Sequence, residues 1–145
     1  MNIAFFLTPK IEVVFINENY TLEKAMHILE KYKYTAIPII DEKGKYVGTL
    51  TEGDVLWYIK NKVEKEKHSI NQVKNMCIKQ IPRRVKNSAV KINSDIEGLI
   101  TLSISQNFVP VVDDDNVFIG IIKRSVIINY CYNQIKEKQE VVVNA

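Results

Sequence analysis

Gly48-Thr-Leu-Thr51-Glu-Gly-Asp54 holds the residue types that grip a sugar phosphate. Gly48 lets the backbone turn close to a ligand. The Thr51 hydroxyl and the free N–H groups at the start of a following helix suit a phosphate. Asp54 offers a carboxylate to both hydroxyls of a ribose, a contact that favours a nucleotide over a simple phosphate. The same residues also have a purely structural use, with Thr51 as a helix N-cap and Asp54 as a first-turn acid stabilised by the helix dipole. Residue types alone leave both uses open.

Two basic groups accompany this motif. Lys123-Arg124 occupies the place of Thr51-Glu52 at an offset of 72 residues, and Val126 replaces Asp54. A ribose acceptor is missing there. Two adjacent cations suit a ligand richer in phosphate charge, because Arg pairs with phosphate oxygens two at a time; a solvated helix start is the plainer alternative. Ile81-Pro-Arg83-Arg84-Val-Lys86 is the second group. Three cations in six residues suit a polyphosphate, a second phosphodiester or an acidic partner, or are simply solvated.

Other reactive residue types stand alone. His27 and His68 are far apart and lack a nucleophile or carboxylate at a suggestive spacing, so both read as surface residues. Cys77 and Cys131 are isolated and read as free thiols in a reducing compartment. Trp57 and Tyr58 read as core or subunit contacts. With no paired carboxylates and no nucleophile–base pair, no catalytic residue, metal ligand or cofactor is expected.

The elements that position these groups come as a repeat. Tyr34-Thr-Ala-Ile-Pro-Ile-Ile-Asp41 with Gly48 returns as Gln106-Asn-Phe-Val-Pro-Val-Val-Asp113 with Gly120, without a gap. Internal repetition sets architecture before any other pattern does. In the first copy, 12–16 reads as a strand and Leu22 to Lys33 as a helix capped by Thr21, with Leu22, Ala25, Met26, Leu29 and Tyr32 as its core stripe. Ala36 to Ile40 reads as a buried strand, Asp41 to Gly44 as a hairpin turn, 45–51 as the return strand and 52–62 as a second helix. The second copy has a strand near 89–92, a helix from Ser94 or Asp95 to Gln106, strands at 108–112 and 117–122, and a helix at 124–137. The connecting 63–79 is Lys-rich with room for a short helix, and the last residues read as a frayed tail.

Size and charge set the bounds. The chain has 145 residues, enough for one domain or two half-domains that cannot stand alone. A net charge of +3 is too small to argue for nucleic acid. No apolar run reaches 18 residues, and the N-terminal residues lack a basic region and a cleavage site, so no membrane partner and a cytoplasmic location are expected.

The β-α-β-β-α order, the internal Pro-apolar-apolar-Asp and the Gly-x-x-Thr-x-x-Asp resemble a tandem cystathionine-β-synthase (CBS) domain pair, also called a Bateman module. The resemblance covers about Leu7 to Glu137 and implies an α/β fold of two β-α-β-β-α repeats packed with pseudo-two-fold symmetry. It divides the chain into a first repeat (7–62), a linker (63–80), a second repeat (81–137) and a flexible tail (138–145). The whole chain is most similar to stand-alone bacterial CBS-pair proteins, some of which bind cyclic di-AMP.

That resemblance implies two clefts, each built from both units. The first would set Thr51 and Asp54 against Val90, Asn107, Phe108, Val109 and Pro110, with Arg83 and Arg84 near its mouth. The second would set Lys123 and Arg124 against Val14, Thr35, Ala36, Ile37 and Pro38. It further implies a non-catalytic sensor of an adenine nucleotide, either cyclic di-AMP or AMP, ADP or ATP, that regulates a separate protein partner. A homodimer is expected, joined through outer helix faces that include Val55, Ile59, Ile127 and Tyr130, with Phe5 and Phe6 near the partner subunit. The competing reading is an interaction module with vestigial clefts.

Overall fold

Thr21 starts the first long helix through its side chain. Its Oγ1 accepts the Lys24 N–H at 3.2 Å, and α1 runs Leu22–Tyr32 until Lys33 ends it in the left-handed region at φ 57°. β3 (Ala36–Ile40) turns through Asp41–Gly44 into β4 (Tyr46–Thr51). Asp41 Oδ1 accepts the N–H groups of Lys43 and Lys45, both at 2.9 Å, and Gly44 supplies φ 79°. α2 (Glu52–Glu64) follows at once. The second unit repeats this chemistry. Asp95 caps α4 (Ile96–Ser103), Asp113 Oδ1 closes the turn between β6 (Phe108–Val112) and β7 (Phe118–Lys123), and Asn116 takes φ 65° where Gly44 stands in the first. The computed structural model describes residues 2–144.

Two sheets result. β2 (Ile16–Asn17) runs parallel to β3, which pairs antiparallel with β4; β5 (Val90–Lys91) runs parallel to β6, which pairs antiparallel with β7. Pro38 and Pro110 fit inside central strands because β2 and β5 reach only the two residues after each proline.

Several boundaries differ from the sequence expectation. The strand expected at 12–16 is not formed: Lys10–Glu12 is a 3-10 turn and pairing begins at Ile16. The helix expected to reach Gln106 stops at Ser103, and Gln106 is used elsewhere. The connector forms α3 (Ile70–Lys74), closed by a Ser69–Gln72 capping box, and a 3-10 turn at Ile78–Gln80. Residues 138–144, expected as a frayed tail, continue α5 (Arg124–Asn144).

The packing exchanges lead-in segments between units. β1 (Thr8–Pro9) precedes β2 of the first unit but pairs antiparallel with β7 of the second, and Ile3 is buried in the second core beside Val109, Ile122 and Ile127. Ile78 and Ile81 precede β5 of the second unit but are buried in the first core with Leu22, Ile37 and Leu50. Two backbone bonds then tie the hairpins together. Phe118 N donates to Gly44 O at 2.9 Å and Tyr46 N to Asn116 O at 3.3 Å. Gly44 and Asn116, like Tyr46 and Phe118, are repeat partners at the same offset, so the bonds straddle a pseudo-two-fold axis.

The outer helix faces differ from expectation. Val55 and Ile127 are core residues, Ile59 packs against the first core, and Tyr130 meets the Phe6 ring edge-on at 5.2 Å. A helix turns about 100° per residue, so other positions face outward: Leu56, Trp57 and Val63 of α2 and Ile128, Tyr132, Ile135, Val141, Val142 and Val143 of α5 are exposed.

The exchange makes one glycine more sensitive than its repeat partner. A Cβ on Gly120 would overlap the Thr8 carbonyl oxygen, which β1 holds in place, whereas a Cβ on Gly48 meets the flexible Arg83 side chain at 3.2 Å. Both glycines hold φ 157°, which strains any residue with a Cβ, so Gly48→Ala is expected to lower stability by about 1–2 kcal/mol and Gly120→Ala by about 3–4 kcal/mol. Urea unfolding of both variants checks the order.

Candidate functional site

Two cavities flank the pseudo-axis. The first, about 160 Å³, lies between Thr49 and Thr51 of one unit and Ser105 to Phe108 of the other, with Val85 and Asn87 at its side. The second, about 220 Å³, lies between Ile121 and Lys123 on one wall and Val14, Ala36 and Pro38 on the other, with Thr8 and Glu12 at its side. They are related as the repeat requires, Thr49 with Ile121 and Thr51 with Lys123. Ala36, Asn107 and Phe108 border both. Between them Asn107 Nδ2 donates to Thr35 Oγ1 at 3.3 Å, a bond joining repeat partners across the axis.

The expected walls are only half composed as the sequence suggests. Strand side chains alternate, so with Ala36 and Pro38 toward the second cavity, Ile37 points into the core and is fully buried. Val109 and Val90 are likewise buried in the second core, and neither borders the cavities. Pro110 is buried within β6. Val14, Ala36, Pro38 and Lys123 do share one cavity, as do Thr51, Asn107 and Phe108.

Asp54 is where the structure departs furthest from the sugar-binding expectation. Its carboxylate is 3% exposed. Oδ2 accepts the Thr51 N–H at 3.0 Å, while Thr51 Oγ1 accepts the Asp54 N–H at 3.1 Å, a complete capping box. Oδ1 accepts the Arg84 N–H at 2.8 Å. Both oxygens are thus committed, one to the helix and one to the lead-in of the other unit. The ribose contact assigned to Asp54 is not open in this arrangement.

The arginines are committed in part. The Arg84 guanidinium lies over the Trp57 ring, 5.4 Å from its centroid. Arg83 Nη1 donates to Ile81 O at 2.7 Å, and its buried Nε has no acceptor. Arg83 borders a groove with Tyr46, Gly48, Lys86 and Asn87 rather than the first cavity. There the Tyr46 hydroxyl bonds Thr49 Oγ1 at 2.7 Å and Asn87 O at 3.1 Å; burial pushes its pKa above the usual tyrosine value, against the pull of Thr49 and Arg83. Arg124 begins α5, with its backbone N–H on Asn107 O at 3.1 Å and Nε on Gln106 O at 2.8 Å. Lys123 ends β7 and is exposed at the second cavity.

Gln106 is a structural residue that the pattern of charges does not reveal. It is buried, accepts the Ser88 N–H at 2.8 Å and donates to Ser88 O at 3.0 Å, so it pins the second lead-in to the cavity wall. Its repeat partner Tyr34 instead stacks on Tyr32 and borders the second cavity. Thr8, Glu12, Val13 and Ile121 were also outside the sequence expectation. Among the described residues, no three His, Cys, Asp or Glu gather as a metal site, and no helix is long and apolar enough to cross a membrane.

Two β-α-β-β-α units about one pseudo-axis, with a cleft on each side, define a tandem CBS-domain pair. Residues 7–61 match the CBS domain, and the whole chain has the fold of a tandem CBS-domain pair. Cyclic di-AMP receptor B of Bacillus subtilis (strain 168) is 29% identical over 125 residues, covering 85% of this chain and 81% of the receptor. Inosine-5'-monophosphate dehydrogenase of Methanocaldococcus jannaschii is 27% identical over 111 residues, 77% of this chain, which spans 20% of that enzyme's length. A crystal structure of CbpB in complex with c-di-AMP has the same fold, with a TM-score of 0.80 at 19% identity, covering 97% of this chain and 90% of that one.

The commitment of Asp54 makes it a stability residue. Asp54→Ala leaves the Thr51 and Arg84 N–H groups without their acceptor and is expected to cost about 2–4 kcal/mol. Asp54→Asn keeps one acceptor oxygen and is expected to cost about half as much. Denaturant unfolding of the ligand-free protein reads both, and an Asp54→Ala variant as stable as wild type would contradict the assignment.

Proposed function

We propose that this protein is a non-catalytic, cytoplasmic sensor of an adenine nucleotide, that cyclic di-AMP is its ligand in the second cleft, and that occupancy regulates a separate protein partner. The observation that carries the reading is the second cavity itself. It is bordered by apolar side chains suited to a purine face, Val14, Ala36 and Pro38, and it ends at Lys123, where the 21-residue α5 begins. A helix N-terminus and a cation at one end of an apolar cleft favour a phosphodiester beside a base. Arg124, with one guanidinium N–H on Gln106 O, stands next in line with further donors. The ligands named for cyclic di-AMP receptor B and for CbpB support the same choice.

Mononucleotides in the first cleft are the second reading. Thr51, Arg84 and the start of α2 favour it, since the Arg84 guanidinium lies beside Gly53. The engaged Asp54 weighs against it: a ribose there must displace the Arg84 N–H or share its acceptor. A protein-interaction module with vestigial clefts predicts no nucleotide response at all.

Cyclic di-AMP at 100 times its dissociation constant is expected to add roughly 2.7 kcal/mol of stability, and its guanine counterpart much less. Lys123→Ala is expected to weaken binding about 5- to 10-fold, with a smaller effect at high salt because the contact is ionic. Asp54→Asn should change that affinity less than 3-fold. Thermal unfolding and calorimetry read all three, and a flat response to cyclic di-AMP, AMP, ADP and ATP would leave the interaction module as the correct reading.

A homodimer is proposed through the outward stripe of α2 and α5. Leu56 and Ile128 are repeat partners, 58% and 57% exposed, so the apolar stripe is itself nearly symmetric. Light scattering is expected to report a dimer at micromolar concentration, and Leu56→Glu with Ile128→Glu a monomer. A wild-type monomer would remove this part of the proposal.

A further inference from the structure

The second cleft has no carboxylate at the start of its helix, because Val126 stands where Asp54 stands in the first. The structure supplies one from another direction. Glu12 borders the same cavity as Lys123, on the lead-in segment that crosses to the second unit. That segment is held, not loose: Thr8 pairs with Ile121 and Pro9 with Gly120, and Val13 N donates to Lys10 O at 3.0 Å to close the turn that carries Glu12. The strand that ends at Lys123 therefore also anchors Glu12.

The two charges share a cavity without neutralising each other. Both side chains are exposed, and among the described residues Glu12 has no ion pair. An anion and a cation held apart along one apolar cleft match a nucleotide, whose phosphate needs the cation and whose ribose hydroxyl donates to a carboxylate. Repulsion keeps a carboxylate away from the phosphates, which leaves the ribose hydroxyl and the adenine amino group as donors, and the ribose is the one joined directly to the phosphate that Lys123 attracts. The lead-in residue 74 positions after Glu12 is Lys86, which borders the neighbouring groove and not the first cavity, so the first cleft has no counterpart to Glu12. The charge is therefore a property of this cleft and not of the repeat.

We propose that Glu12 accepts the 2′-hydroxyl of a ribose and makes the second cleft select ribonucleotides over deoxyribonucleotides. The assignment rests on the proposed binding of cyclic di-AMP in that cleft. Titration of wild type, Glu12→Gln and Glu12→Ala with cyclic di-AMP and with its 2′-deoxy counterpart tests it. Wild type is expected to prefer the ribonucleotide about 10-fold or more, the scale of one hydrogen bond to a charged acceptor. Glu12→Ala should bring the ratio close to one, and Glu12→Gln should leave an intermediate value. The ratio is the readout because losing a negative charge near the phosphates strengthens both ligands alike. An unchanged ratio in Glu12→Ala, or a wild type indifferent to the 2′-hydroxyl, overturns the role of Glu12. Wild-type protein that binds neither nucleotide overturns the proposed function itself, and this assignment with it.

Discussion

Each β-α-β-β-α unit is completed by the chain segment that precedes the other one. β1 lies against β7 so closely that Gly120 has no room for a Cβ, and Ile3 fills the second core. Ile78 and Ile81 fill the first core, and the Arg84 N–H closes on Asp54. A unit of this size is near the lower limit for burying a core of its own, so each half depends on the crossing segment. The clefts follow from the same exchange, because the crossing segments carry a side of each: Thr8 and Glu12 for one, Val85 and Asn87 for the other.

The backbone is close to symmetric while the chemistry is not. Hydrogen bonds at the hairpin tips pair Gly44 with Phe118 and Tyr46 with Asn116, related bonds between repeat partners. At the clefts the charges separate. Beside the first, Arg83 and Lys86 border a neighbouring groove, the Arg84 guanidinium lies over Trp57, and Asp54 is engaged behind Thr51. The second has Lys123 and Arg124 at its helix start and Glu12 in its lead-in. One fold thus presents one cleft bordered by both charges and one bordered by neutral side chains, and their ligands need not be alike. They still share Ala36, Asn107 and Phe108, so a shift of those side chains in one cleft alters the wall of the other.

Asp54 shows how one carboxylate can serve structure where its motif suggests ligand binding. It satisfies the Thr51 N–H, completes a capping box and takes the backbone of a distant segment. A buried carboxylate is tolerated because those N–H groups replace the water it loses. Any ligand that competes for Asp54 must offer as much to the groups it displaces, a cost of about 1–3 kcal/mol for each buried donor left without a partner. That cost favours the cleft whose polar groups are not yet engaged.

What the sequence determined by itself is the repeat and what repeats locally. Thr21 as a cap, a cap at Ser94 or Asp95, the Asp41 and Asp113 turns, and strands at 36–40 and 108–112 depend on neighbours within a few residues, and such interactions are written in the order of the chain. Tertiary structure alone decided the rest. The lead-ins make no local pattern, since two-residue strands and 3-10 turns carry little periodicity, and their partners lie across the molecule. Ile37 and Val109 looked like cleft walls because a strand covered on both faces is apolar throughout, which hides the direction of each side chain. Residue type marked Asp54 as an acceptor of hydroxyls or of backbone; the Arg84 N–H, brought from 30 residues away, decided between them. Glu12 gave no sign in the sequence, because its place beside Lys123 exists only once β1 has crossed to β7.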